Sequence, residues 1–292
     1  MKQVGFVVHP SRREASDAAD ELERWLGERD VQVRRSQGAN TEDEAAAYAF
    51  AEGLDLVVAV GGDGTFLRAA HLASRRDVPV LGVKVGRLGF LTEVEPDGAP
   101  RVFERILAGT VRIEERLAVL AESESGEFEP QWALNEVIVE KSARHRLIGL
   151  AVEVDDTYVT TFAADGVIVA TPTGSTAYSF SAGGPIVSPS VAGTVVTPVA
   201  AHMVFDRSLV LQADECVTLE VLGEEPGLLS ADGRSSLELP IGSRVRIGAA
   251  PKPSRLVRRE DAPPFHELVR RKFDLPGQRE SGSEASPRRA GG

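Results

Sequence analysis

The chain has 292 residues, 42% hydrophobic and 26% charged, enough for two ordinary domains and a sizeable core. Its 33 Lys and Arg are outnumbered by 44 Asp and Glu, a net charge of −11, which disfavours a broad nucleic-acid-binding or anionic-lipid-binding surface. A single cysteine, Cys216, excludes an intrachain disulfide and a cysteine metal cluster and agrees with a cytoplasmic location; it reads as a packing residue of a strand-like run, 216–222.

The N-terminal run MKQVGFVVHP is too short for a signal peptide and has no cleavage pattern. No stretch approaches the roughly 18 apolar residues of a membrane-spanning helix. Residues 4–8 form a short apolar, strand-like run, and 16–26 carry helical spacing through Ala18, Ala19, Leu22, Trp25 and Leu26. Residues 31–33 read as a strand. Thr41-Glu42-Asp43-Glu44 reads as a capping box that opens a helix. Residues 54–60, apolar except for Asp55, suit a strand buried on both faces of a parallel sheet. A helix over 66–74 and a strand over 78–85 follow. This alternation predicts a doubly wound α/β domain over residues 1–115.

Beyond about residue 115 the pattern becomes short β-rich runs, at 117–121, 132–140, 147–154, 158–162, 166–170, 208–211, 217–222 and 245–247. Asp155-Asp156 and Asp232-Gly233 are turn signals between them. An all-β domain is expected over 116–258. A segment over 259–276, with a helical patch at 265–273, is expected to return to the first domain. The Gly-, Ser-, Arg- and Glu-rich residues 277–292 read as a disordered tail.

The strand at 54–60 runs into Gly61-Gly62-Asp63-Gly64-Thr65, and a helix follows. In an α/β sheet this places the glycines at the carboxyl edge, where ligands bind. Backbone N–H groups without side chains can approach an anion closely, and the following helix start, with Thr65 as its expected N-cap, favours phosphate. Asp63 is out of place in a phosphate cradle unless it has a task. It could hold a divalent metal or accept a proton from a hydroxyl nucleophile. Arg68 stands near the loop end of the helix, where it could neutralise phosphate charge. The plain alternative is a tight turn with an Asx-type aspartate. The loop lacks the Gly-Lys-Ser/Thr of a P-loop, and Leu67 takes the third glycine position of a dinucleotide fingerprint.

A second constellation lies at 135–184. Asn135-Glu136 interrupts an apolar strand, and adjacent strand residues share a pocket only at a strand end or bulge. Asp165-Gly166 precedes a strand that leads into residues 171–185, which hold six Ser/Thr hydroxyls, three glycines and Tyr178. Such a stretch suits the lining of a polar ligand, with Tyr178 as a stacking face; the alternative is a plain Ser/Thr/Gly surface loop. His9, His71, His145, His202 and His266 have no metal-ligand spacing and read as packing or surface residues.

Taken together, GGDGTFLRAA (61–70), GRLGFLTEVE (86–95), LNEVIVEK (134–141) and DGVIVATPTGSTAYSFSAGGPIVSP (165–189) resemble the NAD kinase family. HMVFDRSLVL (202–211) and Asp232-Gly233 add to the likeness, which spans most of residues 1–275. The resemblance implies an α/β N-terminal domain, an all-β C-terminal domain, and NAD held between them, often across subunits of a homodimer or homotetramer. It makes Asp63 the proton acceptor for the adenosine ribose 2′-hydroxyl. It brings Gly64 to the phosphates, Phe90 near adenine, and Asn135 and Glu136 to NAD hydroxyls and adenine-side groups. Asp165 assists the nicotinamide half, and Thr176, Ala177, Tyr178, Ser179, Phe180 and Ser181 line the dinucleotide site. Arg68 and Arg146 occupy places of basic NAD contacts, and Ala200 is a weaker carry-over. The implied donor is ATP with a divalent cation, magnesium; some bacterial members also use inorganic polyphosphate. Lys84 departs from the family, which usually carries Asn there, and puts a cation beside the glycine loop. The rival readings are a lipid kinase for diacylglycerol or sphingoid acceptors, or a phosphofructokinase, sharing the same loop, and a non-catalytic NAD sensor. In lipid kinases Asn-Glu typically follows the loop directly, whereas Phe66-Leu67-Arg68 follows here.

Overall fold

A computed structural model describes residues 1–36, 44–86, 89–92, 94–234 and 236–276. The Thr41 capping box and the 277–292 tail lie outside them. The first part of the chain runs β1 (Gln3–Val8), α1 (Arg13–Gly27), β2 (Gln32–Arg35), α2 (Glu44–Ala51), β3 (Leu56–Gly61), α3 (Asp63–Ser74), β4 (Val80–Lys84), α4 (Ala99–Leu107) and β5 (Arg112–Arg116). The β-rich part follows as β6 (Val119–Ser123), β7 (Gln131–Ala133), β8 (Glu136–Lys141), β9 (Ile148–Val154), β10 (Thr157–Ala164) and β11 (Gly166–Ala170). Then come α5 (Tyr178–Ser181), β12 (Gly193–Val199), β13 (Leu209–Gln212), β14 (Val217–Leu222), β15 (Gly227–Ala231), β16 (Leu237–Leu239), β17 (Arg244–Ala249), β18 (Ser254–Arg258) and α6 (Phe265–Lys272).

The first sheet has the order β2-β1-β3-β4-β18-β5, parallel from β2 through β18 and closed by antiparallel β5. Strand β3 is buried along its whole length because helices cover both faces. Val4 and Phe6 pack with Ala15, Leu22 and Leu26 of α1 on one face. Val7, Val57 and Ala59 pack with Phe66, Ala69 and Leu72 of α3 on the other. The chain leaves β1 to one side and β3 to the other, so the crevice between their carboxyl ends is a topological switch point. Strand β18, which falls within the stretch expected for the β-domain, hydrogen-bonds instead between β4 and β5 of the first sheet.

The remaining strands make two six-stranded antiparallel sheets, β10-β9-β14-β17-β6-β7 and β13-β12-β11-β8-β15-β16. They face each other over one apolar core. Leu150, Val152, Val217 and Ile247 come from the first of these sheets, and Val137, Val167, Val196 and Leu229 from the second. Sequence reading treated 132–140 as one strand. The structure breaks it at Leu134-Asn135, where the chain passes from β7 in one sheet to β8 in the other.

Residues from Pro263 onward form a separate small unit whose described part holds α6, with Arg271 and Glu267 paired one turn apart. No described helix is long and apolar enough to cross a membrane.

Candidate active site

Strand β3 delivers the chain to Gly61, where a β-carbon would lie 2.5 Å from Thr65 Oγ1, so only glycine passes there. Gly62 is extended (φ −102°, ψ −170°) and serves as the N-cap, and α3 starts at Asp63. Thr65, the expected N-cap, is instead inside the first turn, with its N–H on the Gly62 carbonyl at 3.0 Å. The helix thus starts three residues earlier than expected, and the Asp63 side chain reaches over to another segment. Its carboxylate accepts hydrogen bonds from the N–H groups of Phe90 (2.8 Å), Leu91 (3.1 Å) and Thr92 (3.3 Å) and from Thr92 Oγ1 (3.3 Å). Gly64 is exposed beside it, with open space where a side chain would stand. Arg68, one turn on, reaches Thr65 Oγ1 at 3.5 Å, and burial pulls its pKa down. Lys84 lies opposite Gly61 in the β3–β4 pairing, but its ammonium is 2.5 Å from Glu95 Oε1, which takes up its charge.

The second constellation is built at the crossing between sheets. Asp232, in a left-handed conformation (φ 51°), sends its carboxylate to the N–H groups of Leu134 (2.8 Å), Asn135 (2.8 Å) and Glu136 (3.2 Å). Thr171 takes the other side: its Oγ1 donates to the Leu134 carbonyl (2.6 Å) and its N–H to the Asn135 carbonyl (2.8 Å). A β-carbon on Gly174 would lie 2.0 Å from that same Asn135 oxygen. With the crossing so pinned, Asn135 and Glu136 are both buried at a strand end, the placement that adjacent strand residues need to serve one site.

Glu136 accepts a hydrogen bond from the Tyr178 N–H, while its Oε2 is buried with no hydrogen-bond partner among the described residues. Burial, and next the neighbouring Asp232 charge, push its pKa up to about 8. Burial likewise raises that of Asp232, against the three amides that favour its charge.

The Ser/Thr-rich stretch divides its hydroxyls between two tasks. Ser175 accepts from the Val187 N–H at 2.9 Å and donates to the Pro172 carbonyl at 2.7 Å. Ser179, expected to line a ligand, is fully buried against Thr197 Oγ1 at 2.9 Å; it holds the short helix α5 to the sheet. Thr176 and Ala177 are half-buried, and Tyr178, Phe180 and Ser181 face outward. Asp165 is bonded to Lys141 Nζ at 2.5 Å. After burial, the charges of Glu140 and Asp165 raise the Tyr178 pKa. Ala200, left-handed at φ 48°, follows Val199, whose carbonyl accepts the Asp165 N–H at 2.9 Å. Arg146 stands apart in this chain, ion-paired with Glu224 (2.8 Å) and Glu225 (3.7 Å).

A latch joins the two constellations. His71 of α3 is buried, with one ring nitrogen against Arg234 and the other 3.4 Å from Arg75. Arg234, two residues after Asp232, also donates to the Trp132 carbonyl at 2.5 Å. The helix that carries Asp63 is thereby tied to the crossing that carries Asn135 and Glu136. Sequence reading had Asp232-Gly233 only as a turn and a family feature, and gave no role to Arg234, Gly89 or Thr92. Their signals are long-range contacts, which local patterns do not carry.

Residues 4–111 match the family model described as the ATP-NAD kinase N-terminal domain, and 134–259 that of the ATP-NAD kinase C-terminal domain. The chain is 38% identical over 300 residues to the NAD kinase of Mycolicibacterium paratuberculosis, covering 94% of this chain and 96% of that one. It is 45% identical over 228 residues to the NAD kinase of Leifsonia xyli, covering 76% and 74%. Among solved structures, yeast NADH kinase complexed with NADH superposes with a TM-score of 0.85 at 22% identity, over 98% of this chain and 90% of that one. An NAD kinase from Archaeoglobus fulgidus in complex with ATP gives 0.72 at 24%, over 94% and 97%. At those identities the likeness to the solved structures shows the fold.

Proposed function

The chain belongs to the NAD kinase family, and from that membership we propose that it transfers the γ-phosphoryl group of ATP to the 2′-hydroxyl of the adenosine ribose of NAD, with Asp63 as the base. The observation that carries this reading is the Asp63 carboxylate. It stands at a helix start after a glycine loop, held by the backbone of residues 90–92. A base so held is oriented before the substrate arrives, which is where catalytic advantage lies. Asp63 takes the hydroxyl proton as the ribose oxygen bonds to the γ-phosphorus. The bridging P–O bond to the β-phosphate breaks, ADP leaves with the electron pair, and the carboxyl later returns its proton to water.

NAD is assigned to Asn135, Glu136, Asp165, Tyr178, Phe180 and Ala200, with Phe90 and Gly64 on the glycine-loop side. With its pKa near 8, Glu136 is largely protonated at pH 7, so it offers an O–H donor as well as an acceptor to adenine or ribose groups. Among the described residues no group of three or more His, Cys, Asp or Glu is arranged to hold a metal. In this reading a magnesium ion enters as part of the Mg-ATP substrate.

A homodimer or homotetramer is part of the proposal. Ile186, Val191, Val204, Phe205 and Val210 are exposed apolar side chains along and before β13, a surface that a second copy would cover. A cytoplasmic location is proposed as well, in line with the single cysteine.

The test is NADP formation from NAD with ATP, and with polyphosphate in parallel. Robust NADP formation supports the reading; its absence with both donors, from a folded protein that binds NAD, overturns it.

A further inference from the structure

A cavity of about 560 Å³ lies at the amino ends of the first sheet's strands, the end opposite the glycine loop. Asp77 and Val78, which lead into β4, line it, and so does the connection from β17 to β18, residues 250–253. Its size is that of a small-molecule site, and junctions between packed layers are where such sites gather. The junction is braced: the Ala250 N–H donates to the Ala118 carbonyl at 2.8 Å, which ties together the two connections between the first sheet and the β-sandwich.

The lining suits a flat apolar molecule with one negative charge. Tyr48, 45% exposed, and buried Trp132 supply aromatic surface, and Pro251 and Pro253 supply a wall whose backbone is already restricted. Arg255 is the cation best placed to meet a charge. Its Nη1 donates to the Asp77 carbonyl at 3.2 Å, which fixes the guanidinium. Among the described residues no carboxylate lies within ion-pair distance of it. Lys252 is exposed and 3.9 Å from the Asp77 carboxylate. A held guanidinium matches a planar carboxylate. Asp77 and Glu129 also line the cavity, so the second charge of a phosphate would meet repulsion there.

The cavity walls are the far ends of the two elements that build the candidate active site. Helix α3 begins with Asp63 and ends with Ser74, which lines the cavity together with Arg75. Its 12 residues span about 18 Å. Strand β7 contributes Trp132, three residues before Asn135. The two elements are joined beside the cavity. The rings of His71 and Trp132 are 6.2 Å apart, and Arg234 bonds the ring of one and the carbonyl of the other. Leu72, Val78, Trp132 and Leu134 pack in one apolar cluster. A molecule that touches both walls therefore bears on the spacing between Asp63 and the Asn135-Glu136 pair.

We propose that this cavity is a regulatory site for a small aromatic carboxylate, which stacks on Tyr48, pairs with Arg255 and, by bracing α3 against β7, tightens NAD binding at the other end of those elements. An occupant that restricts both walls supplies part of the ordering that NAD would otherwise have to impose, so NAD binds more tightly to the occupied protein. The effect is reciprocal: NAD tightens the carboxylate by the same factor. The link to NAD rests on the kinase reading above; the cavity and its ligand class do not.

The probe is 2-naphthoate, with neutral 2-naphthamide as its control, on the full chain and on the variants Arg255→Gln and Tyr48→Ala. By calorimetry 2-naphthoate should bind the unmodified protein about tenfold more tightly than the amide, the scale of one charge-assisted pair. Arg255→Gln should abolish that difference, and Tyr48→Ala should weaken both compounds about fivefold. Saturating 2-naphthoate should lower the Kd for NAD about fivefold, and NAD should lower the Kd for 2-naphthoate equally. In NADP formation KM for NAD should fall in step, with KM for ATP within about twofold, and neither variant should respond to the probe. Without the probe both variants should turn over NAD like the unmodified chain, which reports that they fold. No binding, equal binding of acid and amide, or binding unmoved in both variants overturns the site. Competition of the probe with NAD or ATP puts it in the active site and overturns the proposal as well. Binding that leaves the Kd for NAD unchanged overturns the regulatory coupling. A chain that binds probe and NAD as expected but makes no NADP overturns the kinase reading and leaves the cavity and its ligand class standing.

Discussion

A β-carbon placed on Gly89 would lie 2.0 Å from Oδ1 of Asp63 and 2.8 Å from Oδ2. The contact is this close because the carboxylate is pulled onto the backbone just after Gly89, where three N–H groups and the Thr92 hydroxyl hold it. Gly89→Ala must therefore push the base out of place. Displacements of about 1 Å can cost on the order of 10²-fold in rate. We expect kcat for NADP formation to fall by that order, with the calorimetric Kd for NAD little changed. Normal turnover would show that the placement of Asp63 does not matter.

Asp63→Asn keeps the shape and removes the basicity. A positioned base contributes roughly 10²–10⁴-fold, and kcat should drop within that range while NAD still binds. Thr92→Val deletes one of the four hydrogen bonds and leaves the acid in place, so a smaller loss, about tenfold, is expected.

Glu136 links acidity to stability. Its folded pKa, about 8, is above that of an exposed glutamate, so between the two values the native state holds the proton that the unfolded chain has released. Stability from this group is present at low pH and is lost as pH rises toward 8. Buried Asp232 shifts in the same direction. Urea unfolding from pH 5 to pH 9 should show a falling midpoint, and Glu136→Gln should flatten that slope. A slope unchanged in the variant would assign the pH dependence elsewhere.

Asp232→Ala leaves the N–H groups of Leu134, Asn135 and Glu136 without their acceptor. Orphaned buried donors cost about 1–3 kcal/mol each, so several kcal/mol of stability should be lost in urea unfolding. Asp232→Asn, which keeps one acceptor oxygen, should lose less.

Tyr178 is exposed at the start of α5 beside Glu136 and near Asp165. Removing an aromatic stacking face costs on the order of 1–3 kcal/mol per base, so Tyr178→Ala should raise KM for NAD by roughly tenfold or more, with KM for ATP little altered. Tyr178→Phe should stay close to the unmodified enzyme. An equal rise in both KM values would point to a general loosening of the site.

Several elements were legible because their cause is local. The run expected at 54–60 is the buried strand Leu56–Gly61, and the helical spacing expected at 16–26 is α1, Arg13–Gly27. Strand β12, Gly193–Val199, is not among the runs read from the sequence, and it carries Pro198, a residue inner strands rarely hold. It is tolerated because Val199 faces β11, which turns the Pro198 backbone toward β13, and the β13 pairing has ended by Val196. Nothing in the local pattern reports where a neighbouring strand stops.

The amino-acid order alone determined the alternating strand–helix beginning, the β-rich remainder, the glycine loop with its aspartate, and the hydroxyl-rich stretch after Asp165. All of these follow from periodicity and residue chemistry within a few positions. Only the tertiary structure decided that Asp63 is held by residues 90–92 and that Asp232 breaks the 132–140 run at Leu134-Asn135. It also decided that Ser179 faces inward, against Thr197 of the sheet. Each of those is a contact across tens of residues, set by how sheets and helices pack, and a hydrogen bond leaves no trace in the spacing of residues it joins only through space.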